Sequence, residues 1–159
     1  MIKYEIGGSG QAIVFTDEVV DHFLRHRQQR FWHKEAGGQL FARCSSEGIV
    51  VEEATGPRRS DVRKRTLYLP DRLAEQLEIN ERHERGLHYV GDWHTHPELT
   101  PGFSGQDLAS IQDCFKRSHH ELNAFVLVIV GQDFSPQGLQ VTLHDQKCVW
   151  ELFPKGPDK

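Results

Sequence analysis

Apolar and polar positions alternate along this chain with two different periods. Ala12–Phe15 is a short apolar run that predicts a strand. Thr16 and Asp17, both helix-starting residues, then precede Val19, Val20, Phe23 and Leu24, an apolar stripe at helical spacing. Gly38–Arg43 and Gly48–Ala54 predict a hairpin across a polar turn at 44–48. Thr66–Leu69 predicts a further strand, and Pro70 and Asp71 open a helix whose apolar positions are Leu73, Leu77 and Ile79. His88–His96 predicts a strand stopped by Pro97, and Ser104–Arg117 a helix. Phe125–Val130, Gln140–His144 and Val149–Phe153 complete the strands. Every residue of Phe125–Val130 is apolar, so this strand must be covered on both faces and lie centrally. The order predicts an α/β (α+β) chain, a curved mixed sheet flanked by helices. Residues 1–153 form a single domain, and 154–159 a flexible tail.

Composition narrows the class. A chain of 159 residues suits one domain, and 37% hydrophobic with 26% charged residues is a globular balance. The net charge of −4 argues against general nucleic-acid binding. Three cysteines without a Cys-x-x-Cys spacing point to a reducing compartment. The first residues lack the basic-then-apolar layout of a secretory signal, and the apolar run Ala124–Val130 falls far short of the ~20 residues a membrane helix needs. The expectation is a cytoplasmic protein.

The chemistry concentrates in Gly91–Asp107. His94 and His96 are two apart on a predicted strand, so both project from one face, roughly 7 Å apart along the backbone. Asp107, from the next helix, supplies a third ligand. Two histidines and a carboxylate with an open fourth position is the ligand set of a catalytic zinc. Each part also has an ordinary reading. A lone histidine is commonly a surface or core residue, and Ser104 three residues before Asp107 is a helix-start signature.

Taken together, His94-x-His96-x7-Ser104-x2-Asp107 resembles the signature of the JAMM (MPN+/JAB) zinc metalloproteases. Upstream, Glu35-Ala-Gly-Gly-Gln-Leu-Phe-Ala resembles the segment that carries the family's glutamate, and the likeness runs over roughly residues 11–153. Many members carry proline just before the motif serine; here it is Phe103, with Pro101 two residues earlier. The resemblance implies an MPN/JAB (cytidine deaminase-like) architecture and one Zn²⁺ per chain, held by His94, His96 and Asp107 with water in the fourth place. Zinc would lower that water's pKa from ~16 towards ~7. Glu35 would be the general base, and Ser104 would donate a hydrogen bond to the tetrahedral oxyanion. As a helix cap, Ser104 would have to share one hydroxyl between two tasks.

The family also implies a substrate class. This chain would cut after the C-terminus of a ubiquitin-like modifier or conjugated protein with an extended tail, at an isopeptide or a peptide bond. Gly37 and Gly38 would admit close backbone approach beside that bond. The compact single-domain form looks most like the deconjugating peptidases of cyclic-oligonucleotide (CBASS) antiphage operons, which reverse the attachment of a nucleotidyltransferase. A JAB peptidase trimming a sulfur-carrier protein is the alternative enzyme, and a non-catalytic MPN scaffold the alternative from another class. An amidohydrolase with His-x-His at a strand end would need a larger barrel.

Other residues receive plainer readings. Asp92 shares a strand face with the histidines and is either a ligand-orienting group or structural. Trp93, on the opposite face, belongs to the core. Cys114 is expected to be a buried thiol. His119 and His120 close a helix and suit its C-terminal dipole. The stretch 57–65 carries five positive charges. It reads as a solvated loop that can guide an acidic partner.

Overall fold

The computed structural model describes residues 1–156, and the last part of the expected tail, 157–159, lies outside the described residues. In chain order the elements are β1 (Ile2–Glu5), β2 (Ala12–Phe15), α1 (Asp17–Arg25), β3 (Gly37–Ser45), β4 (Gly48–Ala54), β5 (Val62–Lys64), β6 (Leu67–Leu69), α2 (Arg72–Glu84), β7 (His88–Thr95), α3 (Gly105–Arg117), β8 (Phe125–Val130), β9 (Leu139–His144) and β10 (Val149–Leu152). Among the described residues, eight strands form one curved sheet in the order β1-β2-β4-β3-β7-β8-β9-β10. The pairs β2–β4 and β7–β8 are parallel and the others antiparallel, so the sheet is mixed. β5 and β6 form a separate two-stranded hairpin.

Two apolar layers cover the two faces. Alternate residues of β8 divide between them: Val126, Val128 and Val130 join Phe23, Val90 and Trp93 on the α1 side. Phe125, Leu127 and Ile129 join Ile111 of α3 on the other. A central strand with no polar face is thereby accounted for. A register shift, with Leu40 opposite Gly91 and Phe41 opposite Tyr89, bulges β7 at Val90. It changes the phase of the alternation, so Tyr89 and Asp92 fall on one face and Val90 and Trp93 on the other. Trp93 is fully buried, and its indole N–H donates to the Thr55 carbonyl at 2.9 Å.

Four expectations need correction. β1 and β5 are strands where the sequence predicted none. β1 finds its ladder on β2, and the chain returns to it at the far end. Pro154 bridges Tyr4, and the Lys155 amide donates to the Lys3 carbonyl, so the start of the expected tail is paired. α2 begins as predicted, with the Asp71 carboxylate accepting from the Leu73 and Ala74 amides, but its sheet-facing side is charged. Leu73 and Leu77 are exposed at 80% and 69%, whereas Glu75 is buried at 6%. Arg82 reaches Glu53 and packs over the Phe41 ring, so ion pairs and a cation–π contact do what the leucines were expected to do. Finally, the basic stretch is not a free loop. The Arg58 guanidinium lies against Glu78 at 2.5 Å and Asp61 at 3.5 Å, and Asp61 also accepts from the Tyr68 hydroxyl and the Asp71 amide. Arg63 and Arg65 donate to backbone carbonyls of residues 30–35.

Among the described residues, no helix is long and apolar enough to cross a membrane. All three cysteines are free thiols.

Candidate metal centre and active site

The site lies where β7 ends and α3 begins. The β7 ladder runs to Thr95, so His96 sits one residue beyond the strand, its amide still donating to the Val130 carbonyl at 2.9 Å. The two imidazoles therefore stay side by side, ring centroids 5.0 Å apart. The Asp107 carboxylate meets both: Oδ1 lies 3.0 Å from His94 Nε2 and Oδ2 3.3 Å from His96 Nε2. One ligand atom from each residue falls within 4.8 Å of the others, a cluster that can hold a metal ion. His94 Nε2 is buried, and its near neighbour is that Asp107 carboxylate. Two imidazole nitrogens and a carboxylate turned towards one another in a buried cluster suit a cation between them.

Charge agrees with that reading. Burial raises the Asp107 carboxyl, but the His94 and His96 rings and the Ser104 amide outweigh it and hold the group well below the usual carboxylate range. The group is ionised at neutral pH, as a ligand must be. For His96, burial works against the charged ring, yet Asp107 and then Glu35 and Glu98 raise its pKa.

Glu35 and Ser104 face the same cavity, about 390 Å³, lined also by His94, His96, Asp107 and the β6 side of the hairpin. Glu35 is 8% exposed, and burial pushes its carboxyl up to about 7, with His96 lowering and Asp107 raising it. Gly37 and Gly38 follow it. A Cβ on Gly38 would meet the Thr55 carbonyl oxygen at 1.8 Å, and one on Gly37 the Tyr68 ring at 2.6 Å, so only glycine lets β3 pass this closely. Ser104 is the N-cap of α3: its Oγ accepts from the Asp107 amide at 3.1 Å, and its amide donates to Asp107 Oδ2 at 2.7 Å.

A model of the prokaryotic homologues of the JAB domain matches residues 16–144. The chain belongs to this JAB family. It is 32% identical over 123 residues to a CD-NTase/cGAS isopeptidase of Vibrio cholerae, covering 76% of each chain. It is 33% identical over 124 residues to a protein of the same name from Pseudomonas aeruginosa, covering 75% of this chain and 77% of that one. A probable metalloprotease of Sinorhizobium fredii is 32% identical over 97 residues, 58% of each chain. The solution structure of a Desulfitobacterium hafniense protein superposes with a TM-score of 0.59 over 87% of this chain and 88% of that one, at 20% identity. That likeness shows the fold alone.

All five residues singled out in the sequence line this JAB domain's cavity. Of the other candidates, Asp92 lines the same cavity. Asp92 Oδ1 accepts from the Tyr89 hydroxyl at 3.0 Å. That hydroxyl also lies 3.3 Å from Cys114 Sγ, and burial, then Asp92, pushes the thiol up, away from nucleophilic use. His120 Nε2 sits 2.9 Å from the Phe115 carbonyl, ending α3 as its dipole favours. Sequence reasoning missed the residues that hold Glu35 in place, Gln28, Arg63 and Thr95. Thr95 had a faint signal, a β-branched residue between two histidines. Gln28, fully buried in an irregular segment, had none.

Proposed function

We propose that this JAB domain is a zinc-dependent isopeptidase that releases a conjugated protein by cutting after its extended C-terminal tail, in the cytoplasm. The observation that carries the reading is the convergence of His94, His96 and Asp107, with one ligand atom from each within 4.8 Å of the others, in a cavity that also holds a protonatable Glu35. Relatives named isopeptidase and metalloprotease support hydrolysis as the reaction.

His94, His96 and Asp107 would hold the ion, one Zn²⁺ per chain. Zinc bound there supplies Lewis acidity, which lowers the pKa of water from ~16 towards ~7. Glu35 accepts a proton from the attacking water and returns it to the leaving amine, two steps that suit a carboxyl whose pKa lies near neutrality. Ser104 donates a hydrogen bond through its hydroxyl to the oxyanion that develops on the scissile carbonyl. Capping does not compete with this, because the cap uses an Oγ lone pair and leaves the proton free.

The names of the relatives favour a nucleotidyltransferase as the conjugated protein, and the bond proposed here joins its C-terminus to a lysine. Zinc-loaded protein is expected to release the intact nucleotidyltransferase from such a conjugate, and Asp107→Ala is expected not to. Release by Asp107→Ala at the wild-type rate would reject the metal-dependent reading. Inertness of the wild type towards this conjugate, with cleavage of a sulfur-carrier fusion, would move the substrate to that class.

A further inference from the structure

We infer that Arg63 is a positioning residue for Glu35, and that through it the β5–β6 hairpin sets where the proton-transferring carboxylate stands; this rests on the reading of Glu35 as general base. Glu35 belongs to a segment, residues 27–36, with no helix or strand of its own. Its geometry is therefore fixed by tethers from elsewhere. Arg63 Nε donates to the Glu35 carbonyl at 2.6 Å, and Nη2 to the Lys34 carbonyl at 3.4 Å. The Glu35 amide in turn donates to the Lys64 carbonyl at 2.8 Å. Both backbone polar groups of Glu35 thus end on β5. A planar guanidinium reaching two successive carbonyls fixes direction as well as distance, which a lysine does less well.

The neighbouring residue is anchored to the other side of the site. The Ala36 amide donates to Thr95 Oγ1 at 3.0 Å, and the Thr95 hydroxyl donates to Gln28 Oε1 at 2.8 Å. Gln28 Nε2 donates to the Arg65 carbonyl at 2.7 Å, closing the circuit back to the hairpin. Thr95 stands between His94 and His96. Glu35 is accordingly suspended between the ligand-bearing strand and the hairpin, and Arg63 is the side chain that ties it to the hairpin. The same hairpin lines the cavity through Thr66, Leu67, Tyr68 and Leu69, so a substrate lodged there presses on the hairpin that tethers Glu35. A surface charge that only attracts an acidic partner would need none of these bonds.

The test compares zinc-loaded wild type, Arg63→Ala, Arg63→Lys and, as an exposed-charge control, Arg59→Ala. Amide hydrogen exchange by NMR is expected to speed up at Glu35 by about tenfold or more in Arg63→Ala, with the amides of β7 and β8 unchanged and zinc still bound at one per chain. With the lysine-linked nucleotidyltransferase conjugate as probe, kcat is expected to fall by about 10- to 100-fold in Arg63→Ala. KM should stay within about twofold, and Arg63→Lys should recover part of kcat, since one donor can still reach the carbonyl. Arg59→Ala should match wild type throughout. Unchanged Glu35 exchange in Arg63→Ala, or a loss confined to KM, would overturn the inference. If wild type leaves the probe intact, the functional reading fails by itself, and Glu35 exchange still decides the role of Arg63.

Discussion

Ser104 and Asp107 hold each other at both ends of one turn: the serine amide donates to the aspartate Oδ2 at 2.7 Å, and the aspartate amide donates to the serine Oγ at 3.1 Å. The helix start and the His94–His96–Asp107 cluster are therefore one piece of structure. A carboxylate that caps its own helix has its rotamer fixed before any ion arrives, and preorganised ligands lose little freedom on binding.

This pairing predicts a separable outcome for Ser104→Ala. Loss of the cap costs about 1 kcal/mol, a drop in Tm of about 2–4 °C for a chain of this size. Loss of the oxyanion donor should lower kcat by about 10²- to 10³-fold, far more than so small a destabilisation explains. Calorimetry and conjugate cleavage on the same sample check both. A drop in Tm with full activity would leave Ser104 as a cap alone.

Glu35→Gln should keep the fold and the zinc while losing about 10²-fold or more in turnover. The near-isosteric amide fills the same buried space but cannot take a proton. Near-normal turnover in this variant would place the base elsewhere.

Arg58 is structural, and its removal should be felt in stability. Its side chain is 10% exposed and faces Asp61, fully buried, and Glu78. Arg58→Ala removes the counter-charge of a buried carboxylate that keeps its hydrogen bonds, so urea denaturation should show a loss of about 2–4 kcal/mol. Arg59→Ala, one residue on and exposed, should change stability by less than about 0.5 kcal/mol.

His144 predicts a pH limb. It is fully buried, with Nε2 2.6 Å from Thr142 Oγ1 and Nδ1 without a partner, and burial lowers its pKa to about 4. Between pH 6.5 and 4 the unfolded chain takes up a proton there that the folded one refuses. Stability is thus intact above 6.5 and declines as pH falls towards 4, by up to about 3 kcal/mol from this group. His144→Phe should flatten that limb in denaturation midpoints measured from pH 7 to 4. An unchanged slope would assign it to other groups.

Local patterns in the sequence carried most of the sheet, the helix starts and the grouping of His94, His96 and Asp107, because each depends on residues close in the chain. Ser104 and Asp107 are three apart, and the full apolar run of β8 needs no partner to be recognised. What escaped depends on pairing at a distance. β1 is a strand only because β2 and the chain's far end run beside it. α2 showed its leucines and hid its working face, since Glu75 and Arg82 are core-facing only where Arg72, Glu53 and Phe41 meet them. The basic stretch looked solvated because carbonyl acceptors leave no mark on a sequence.

Metal content measured by elemental analysis on purified protein, beside His96→Ala, tests the central claim most directly. The account predicts one zinc per chain in the wild type and its loss in the variant, with the fold retained. A chain that is purified without metal and refuses added zinc would contradict it.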